Sequence, residues 1–166
     1  MKTILICTLL ILCGLAQAAP AHRHGEAELD VALEGDTLHI LLTGPLEALV
    51  GFERAPRSEA ERRALNAMAQ TLRDAERMFA LPAQAGCSAA GVTLDSPVLD
   101  GQPVSGGHAD MAAHYHLKCK EAGALRELRT GLFEAFPRLG KIKLQFVGPD
   151  GQRAATLTRK NPRFAW

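Results

Sequence analysis

The stretch HRHGEAELDVALEGDTLHILL, residues 22–42, decides the fold of this chain. Polar and apolar residues alternate from His22 to Leu33, which is the period of a strand with one buried face. The run Glu34-Gly35-Asp36 supplies a turn, and the alternation resumes over residues 38–42. The stretch therefore predicts a β-hairpin with one polar face and one apolar face.

The rest of the chain mixes helical and extended patterns. A capping box from Ser58 to Glu61 precedes apolar residues at helical spacing, and Pro82 ends that pattern. Further elements are predicted in chain order: strands at 92–94 and 113–119, a shorter helix at 125–136, and a last hairpin of 141–147 with 153–158. The order ββ-α-ββ-α-ββ predicts a single α+β domain, a mainly antiparallel β-sheet with one long and one short helix.

The first eighteen residues have the features of a secretory signal peptide. Lys2 precedes an apolar run over residues 4–12, and Ala16-Gln17-Ala18 offers a cleavage site of small residues. That run is too short to span a bilayer, and no later stretch is long and apolar enough to do so. We expect residues 1–18 to be removed and residues 19–166 to form one domain exported to the periplasm, without membrane insertion.

The net charge of the chain bears on the kind of partner that it can bind. The chain has 19 Lys and Arg residues against 18 Asp and Glu, and removing the leader takes away one lysine and no acid. A net charge near zero without a basic block argues against a nucleic-acid partner.

The leader also carries two of the four cysteines, Cys7 and Cys13. Cys87 and Cys119 are then the only intramolecular pair. An oxidising compartment favours a disulfide between them, whereas two metal-binding thiolates would need a reducing one. We predict the disulfide.

Five of the six histidines fall into pairs spaced by one residue. His22 and His24 form the first pair, His108 pairs with Asp110, and His114 pairs with His116. Residues two apart on a strand share a face, and two imidazoles placed so can reach one ion. Exposed strand faces also carry polar residues by default, so a single pair can be incidental. His39 stands apart and is interpreted as a structural or surface residue.

Imidazole and carboxylate donors without available thiolate favour Zn²⁺, with Cu²⁺ and Ni²⁺ as competitors. We predict one zinc site, with His114 or His116 as reserve ligands; its four ligands are His22, His24, His108 and Asp110. Four ligands fill a tetrahedral shell, which favours binding over catalysis. No H-E-x-x-H or G-x-S-x-G motif is present, so no enzyme is expected. Glu26, Glu28 and Glu53 are interpreted as solvated surface acids rather than bases.

The chain resembles the ZrgA-like family of bacterial periplasmic zinc-binding proteins along nearly all of its length after the leader. The resemblance is carried by HRHGEAELDVALEGDTLHI, LVGFERAPRSEAE, LPAQAGC, HADMAAHYHLKC and LFEAFPRLGKIKLQFVGPDGQ. It implies a periplasmic accessory protein that binds zinc in support of zinc acquisition or homeostasis, with a periplasmic zinc-uptake component as partner. The positions that match the family's His-x-His-Gly and His-x-Asp segments are His22, His24, His108 and Asp110.

One segment departs from the family. Similar proteins often carry a run rich in His and Asp between the two central strands, where this chain has DGQPVSGG, residues 100–107. The difference argues against high-capacity zinc binding and is compatible with a compact site. Two other interpretations stay open: an exported, non-catalytic interaction module whose histidines are incidental, and a copper-binding periplasmic protein.

Overall fold

A computed structural model describes residues 25–104 and 108–166. Its strands are, in chain order, β1 (Glu26–Glu34), β2 (Thr37–Pro45), β3 (Phe79–Ala80), β4 (Cys87–Asp95), β5 (Asp110–Cys119), β6 (Glu127–Thr130), β7 (Lys141–Gly148), β8 (Gly151–Thr158) and β9 (Arg163–Ala165). Its α-helices are α1 (Leu46–Val50), α2 (Glu59–Arg73), α3 (Ala75–Met78) and α4 (Leu132–Ala135). The predicted signal peptide lies outside the described residues.

The predicted first hairpin is formed by β1 and β2. Gly35 joins the strands with a φ of 60°, a left-handed value that glycine adopts without the steric cost of a side chain. Along β1 the residues with buried side chains alternate with half-buried or exposed residues, most of them acids, as predicted; the buried ones are Ala27, Leu29, Val31 and Leu33. The hairpin therefore presents one face to the core and one to solvent.

The hairpin occupies the centre of a six-stranded sheet with the order β4-β5-β2-β1-β7-β8. Among the described strands of this sheet, only β1 and β7 pair in parallel, in a register that begins with Glu26 opposite Lys141. The other neighbours in this sheet pair antiparallel. The prediction of a mainly antiparallel sheet is confirmed.

The long helix begins where the capping box predicts. The Ser58 hydroxyl accepts a hydrogen bond from the backbone N–H of Glu61 at 3.1 Å. The helical pattern is interrupted at Asp74, whose carboxylate accepts from the N–H of Arg77 at 3.0 Å and so caps α3. In the described part of the chain, no helix has both the length and the apolar character to cross a membrane.

The predicted helix at 125–136 is correct only at its end, over α4. The preceding residues form β6, which lies between β3 and β9 in a second sheet of three strands. Gly131 separates β6 from α4, and its N–H donates to the carbonyl of Met78 at 2.8 Å. Apolar residues at this spacing suit either structure, and pairing with β3 and β9 selects the strand.

The core lies on one face of the large sheet. Residues of the helices and of the small sheet pack against that face in a single hydrophobic cluster. Each large side chain buried there contributes about 1.5–3 kcal/mol to the free energy of folding. Sheet residues in this cluster include Leu29, Val31, Leu38, Ile40, Leu42, Met111, Tyr115, Leu117, Ile142, Leu144 and Phe146. The opposite face, here called the open face, carries half-buried and exposed residues that include Asp30, His39, His114 and His116.

The predicted disulfide between Cys87 and Cys119 is present. The two residues face each other where β4 begins and β5 ends. Cys119 is buried on the apolar face of β5, so the disulfide ties the edge strand β4 to the core.

Candidate metal centre

The starts of β1 and β5 lie at the same end of the large sheet, on either side of the end of β2. The predicted ligands belong to the segments that lead into β1 and β5. At the last residues of β2, a Cβ on Gly44 would lie 3.0 Å from the Cβ of Ala27, and Pro45 pairs with Asp110. The first residues of β1 and β5 flank β2, which places them about 10 Å apart at the usual strand spacing. The chain that leads into β1 is thus joined to the sheet at the end where His108 and Asp110 lie.

Gly25 fixes the entry into β1. Its carbonyl accepts hydrogen bonds from the N–H groups of Gly140 at 2.8 Å and Lys141 at 3.1 Å. Its φ is 71°, and a Cβ there would lie 3.1 Å from the carbonyl oxygen of Arg138. Glycine is therefore needed at this position. His22 and His24 lie outside the described residues.

His108 is held by a carboxylate. Its Nδ1 lies 2.6 Å from Oε2 of Glu53. The Glu53 side chain is only 10% exposed, whereas that of His108 is 58% exposed. When Nδ1 donates its proton to this carboxylate, the lone pair of the ring is on Nε2, the atom a metal would bind.

Helix α1 brings Glu53 to His108. The N–H of Leu46, its first residue, donates to the carbonyl of Ala109 at 2.8 Å, which ties the start of the helix to the chain between His108 and Asp110. Gly51 ends the helix in the left-handed conformation, with a φ of 93°. The chain then turns back, and Glu53 follows two residues later.

An ion pair anchors the loop that contains Glu53. The guanidinium of Arg54 donates to both carboxylate oxygens of Glu61 in α2, at 2.7 and 2.9 Å, and the N–H of Arg57 donates to the same carboxylate at 2.5 Å. The Arg54 hydrogen bonds, followed by the Arg57 N–H, lower the pKa of Glu61 from its ordinary value of 4.5 to about 2. The residue next to Glu53 is thereby fixed to the long helix.

Asp110 begins β5 at the same end of the sheet. Its side chain is half-buried and shares a strand face with His114 and His116. Glu26 begins β1 nearby, and its carboxylate lies 2.5 Å from Nζ of Lys141. That lysine offsets the charge of Glu26, and Asp110 is the acid at this end that the sequence assigns to the metal.

His114 and His116 lie farther along β5. They are four and six residues beyond Asp110, which corresponds to about 13 and 20 Å along a strand. Nε2 of His114 is 3.5 Å from Oδ2 of Asp95 in β4, and the ring of His116 contacts that of His39. The structure therefore places the reserve ligands on the open face, away from His108.

The sequence misjudges one relevant residue and does not show the neighbour of another. Glu53 is predicted to be a solvated acid, but it is largely buried against His108. For His39 the sequence predicts a structural or surface residue, and the structure adds that it faces His116 across β2 and β5. Alternation shows which face His39 occupies, whereas the register that pairs it with His116 has no local signal.

Among residues 25–104 and 108–166, no group of three or more His, Cys, Asp or Glu side chains is arranged to hold a metal ion. The described part of the predicted site consists of His108 and Asp110, with Glu53 behind His108. These donors are an imidazole and a carboxylate, which suit zinc.

A protein-family model described as "ZrgA family zinc uptake protein" matches residues 21–166. The match includes both segments that contribute predicted ligands, the one before Gly25 and the one before β5. No curated protein is similar enough to the chain to be matched to it.

Proposed function

The chain belongs to the ZrgA family of zinc uptake proteins, and we propose that it is an exported, non-catalytic protein that binds Zn²⁺ in support of zinc acquisition or homeostasis. The ligands in this proposal are His22, His24, His108 and Asp110.

The contact between Glu53 and His108 carries the proposal. A histidine that binds a metal generally donates its other ring N–H to a carboxylate, a carbonyl or water, which orients the ring and makes the metal-binding nitrogen more basic. Glu53 is placed to accept such a hydrogen bond from Nδ1 of His108, at 2.6 Å. The Glu53 carboxylate is largely buried, whereas the exposed His108 ring can meet an incoming ion.

Ligand chemistry supports binding rather than catalysis. Three imidazoles and one carboxylate complete a tetrahedral shell around zinc and leave no position for a reacting water. Cu²⁺ and Ni²⁺ accept the same donors and would compete for the site, so the geometry of the site and the availability of each ion in the compartment together decide which ion is bound.

The disulfide between Cys87 and Cys119 supports export, since such bonds persist in oxidising compartments such as the bacterial periplasm. In that compartment the partner that we propose for the protein is a component of the zinc-uptake machinery.

Metal content tests this function. The full chain, including its leader, is expressed in a bacterium, purified from the periplasm without an affinity tag, dialysed and assayed for zinc, copper and nickel. We expect zinc to be retained by the wild type, lost from His108→Ala and retained by the matched control His114→Ala. Protein that retains no metal, even after incubation with zinc, would favour the interaction module with incidental histidines. Retention of copper in place of zinc would favour the copper-binding alternative.

A further inference from the structure

Two histidines face each other on the open face of the sheet. His39 in β2 is directly opposite His116 in β5. Their ring centres are 4.8 Å apart, and the ring planes are nearly perpendicular, at 85°. The neighbouring residues Ile40 in β2 and Tyr115 in β5 point the other way into the core, so the backbone beneath the two rings is fixed by packing.

The surroundings leave room beside these rings. A cavity of about 310 Å³ on this face is lined by both histidines, together with His114 and Asp30. On the other side of His116, its partner in β4 is Gly91, where a Cβ would meet no heavy atom within 4 Å. Small ligands, including a hydrated ion, can therefore approach the pair from solvent.

The spacing of the rings suits a shared ion. Two imidazoles bound to one tetrahedral ion through nitrogens about 2.0–2.1 Å from it have ring centres about 5 Å apart. The nearest cationic side chain on the same strand face of β5, that of Lys118, lies 2.7 Å from Oδ1 of Asp36, which offsets its charge. Asp30 adds a carboxylate to the cavity lining and makes it more favourable for a cation.

We propose that His39 and His116 form a second binding site for a divalent transition metal, with water in the remaining coordination positions. His116 is six residues beyond Asp110, about 20 Å along β5, so one ion cannot occupy both sites. The inference goes beyond the proposed zinc site and does not require it. Its consequence is that one chain can carry two ions, the second held by fewer protein ligands and hence more readily released.

The test uses residues 19–166 with His22 and His24 both replaced by alanine, so that the site at the end of the sheet is disabled. Zn²⁺ alone is added to protein labelled with ¹⁵N in its histidine rings, and the ring resonances are followed by NMR. We expect the signals of His39 and His116 to change together and to saturate with one ion per chain. His39→Ala and His116→Ala should each weaken this binding at least about tenfold. Removal of a residue that only orients a ligand already lowers metal affinity about tenfold, and these residues are the ligands themselves.

The matched control is His114→Ala. His114 lies on the same strand and the same face as His116, but the residue opposite it in β2 is Leu41 rather than a histidine. This variant should leave the affinity unchanged. An effect as large as that of His39→Ala would place the ion on His114 and His116 and overturn the cross-strand site. Unchanged His39 signals at millimolar zinc would also overturn it. Should His39→Ala lose the circular dichroism of the folded protein, His39→Gln, which keeps a polar side chain of similar size, replaces it.

Discussion

Glu53 and His108, 55 residues apart in the chain, are joined by a 2.6 Å contact between Oε2 and Nδ1. The contact depends on the tie between Leu46 and Ala109 and on the pairing of Arg54 with Glu61. When Nδ1 donates to this carboxylate, Nε2 is the ring nitrogen of His108 that is left to bind a metal. The contact also links a loop beside the long helix to the proposed zinc site.

The first prediction concerns Glu53. Glu53→Ala should lower zinc affinity about 10–100-fold, the usual effect of removing the partner that orients a ligand. Glu53→Gln keeps an oxygen that can accept from Nδ1 and should recover part of the loss. A competition titration with a chromophoric zinc chelator measures both variants.

The control for this experiment is Glu59→Ala in α2, which removes an exposed acid paired with Arg62 and far in sequence from the ligands. It should bind zinc like the wild type. If Glu53→Ala also does so, the carboxylate does not position a ligand.

The second prediction concerns pH. Folding lowers the pKa of Glu61 from 4.5 to about 2, chiefly through Arg54, so the ionised carboxylate stabilises the folded state above about pH 4.5. That contribution is lost as the pH falls from about 4.5 towards 2. Glu61→Gln should therefore lower the free energy of unfolding at pH 7, and its difference from the wild type should shrink below pH 4. Urea denaturation at pH 7, 4 and 3 measures this, and a difference that does not change with pH would contradict it.

The disulfide supplies the third prediction. Replacing Cys87 and Cys119 together by serine removes a cross-link between residues separated by 32 positions. The free energy of unfolding should fall by about 3–4 kcal/mol, because the unfolded chain regains the freedom that the closed loop denied it. Guanidinium denaturation of the oxidised wild type and the double variant tests the value; equal midpoints would show that the bond does not contribute to stability.

The fourth prediction concerns Tyr115, which is 1% exposed and contacts Phe79 edge to face at 5.0 Å. Its hydroxyl has no hydrogen-bond partner in residues 25–104 and 108–166, and burial raises its pKa. Tyr115→Phe removes an unsatisfied polar atom and keeps the ring, so the protein should become more stable by about 1 kcal/mol. Thermal unfolding measures the change, and a lower melting temperature would show that the hydroxyl is satisfied in solution.

Local patterns in the sequence are sufficient for the hairpin and for the start of the long helix, and the cysteine count is sufficient for the disulfide. The alternation around Leu29, the turn at Gly35 and the cap at Ser58 each act over a few residues, so each has a local signature. The segment before Gly131 was misassigned because its apolar spacing suits a helix or a strand, and contacts with Met78 and Phe164 decide between them.

In the candidate site, too, some features have a local signal in the sequence and others depend on contacts between distant residues. Ligand types and their spacing around His108 are visible in the sequence, and they predict a metal. The partner of His108 is not, because Glu53 reaches it only after Gly51 has turned the chain and Arg54 has bound the long helix. The pairing of His39 with His116 likewise depends on strand register.

The most direct test of the proposed zinc site is a calorimetric titration of Zn²⁺ into residues 19–166 and into the same chain carrying both His22→Ala and His24→Ala, at pH 7.5. The account predicts that the tighter of the binding events seen in the wild type disappears from the double variant, whose circular dichroism stays that of the folded protein. Equal affinity for that tighter ion in the two proteins would show that the amino-terminal histidines do not bind zinc, and it would contradict the proposed site.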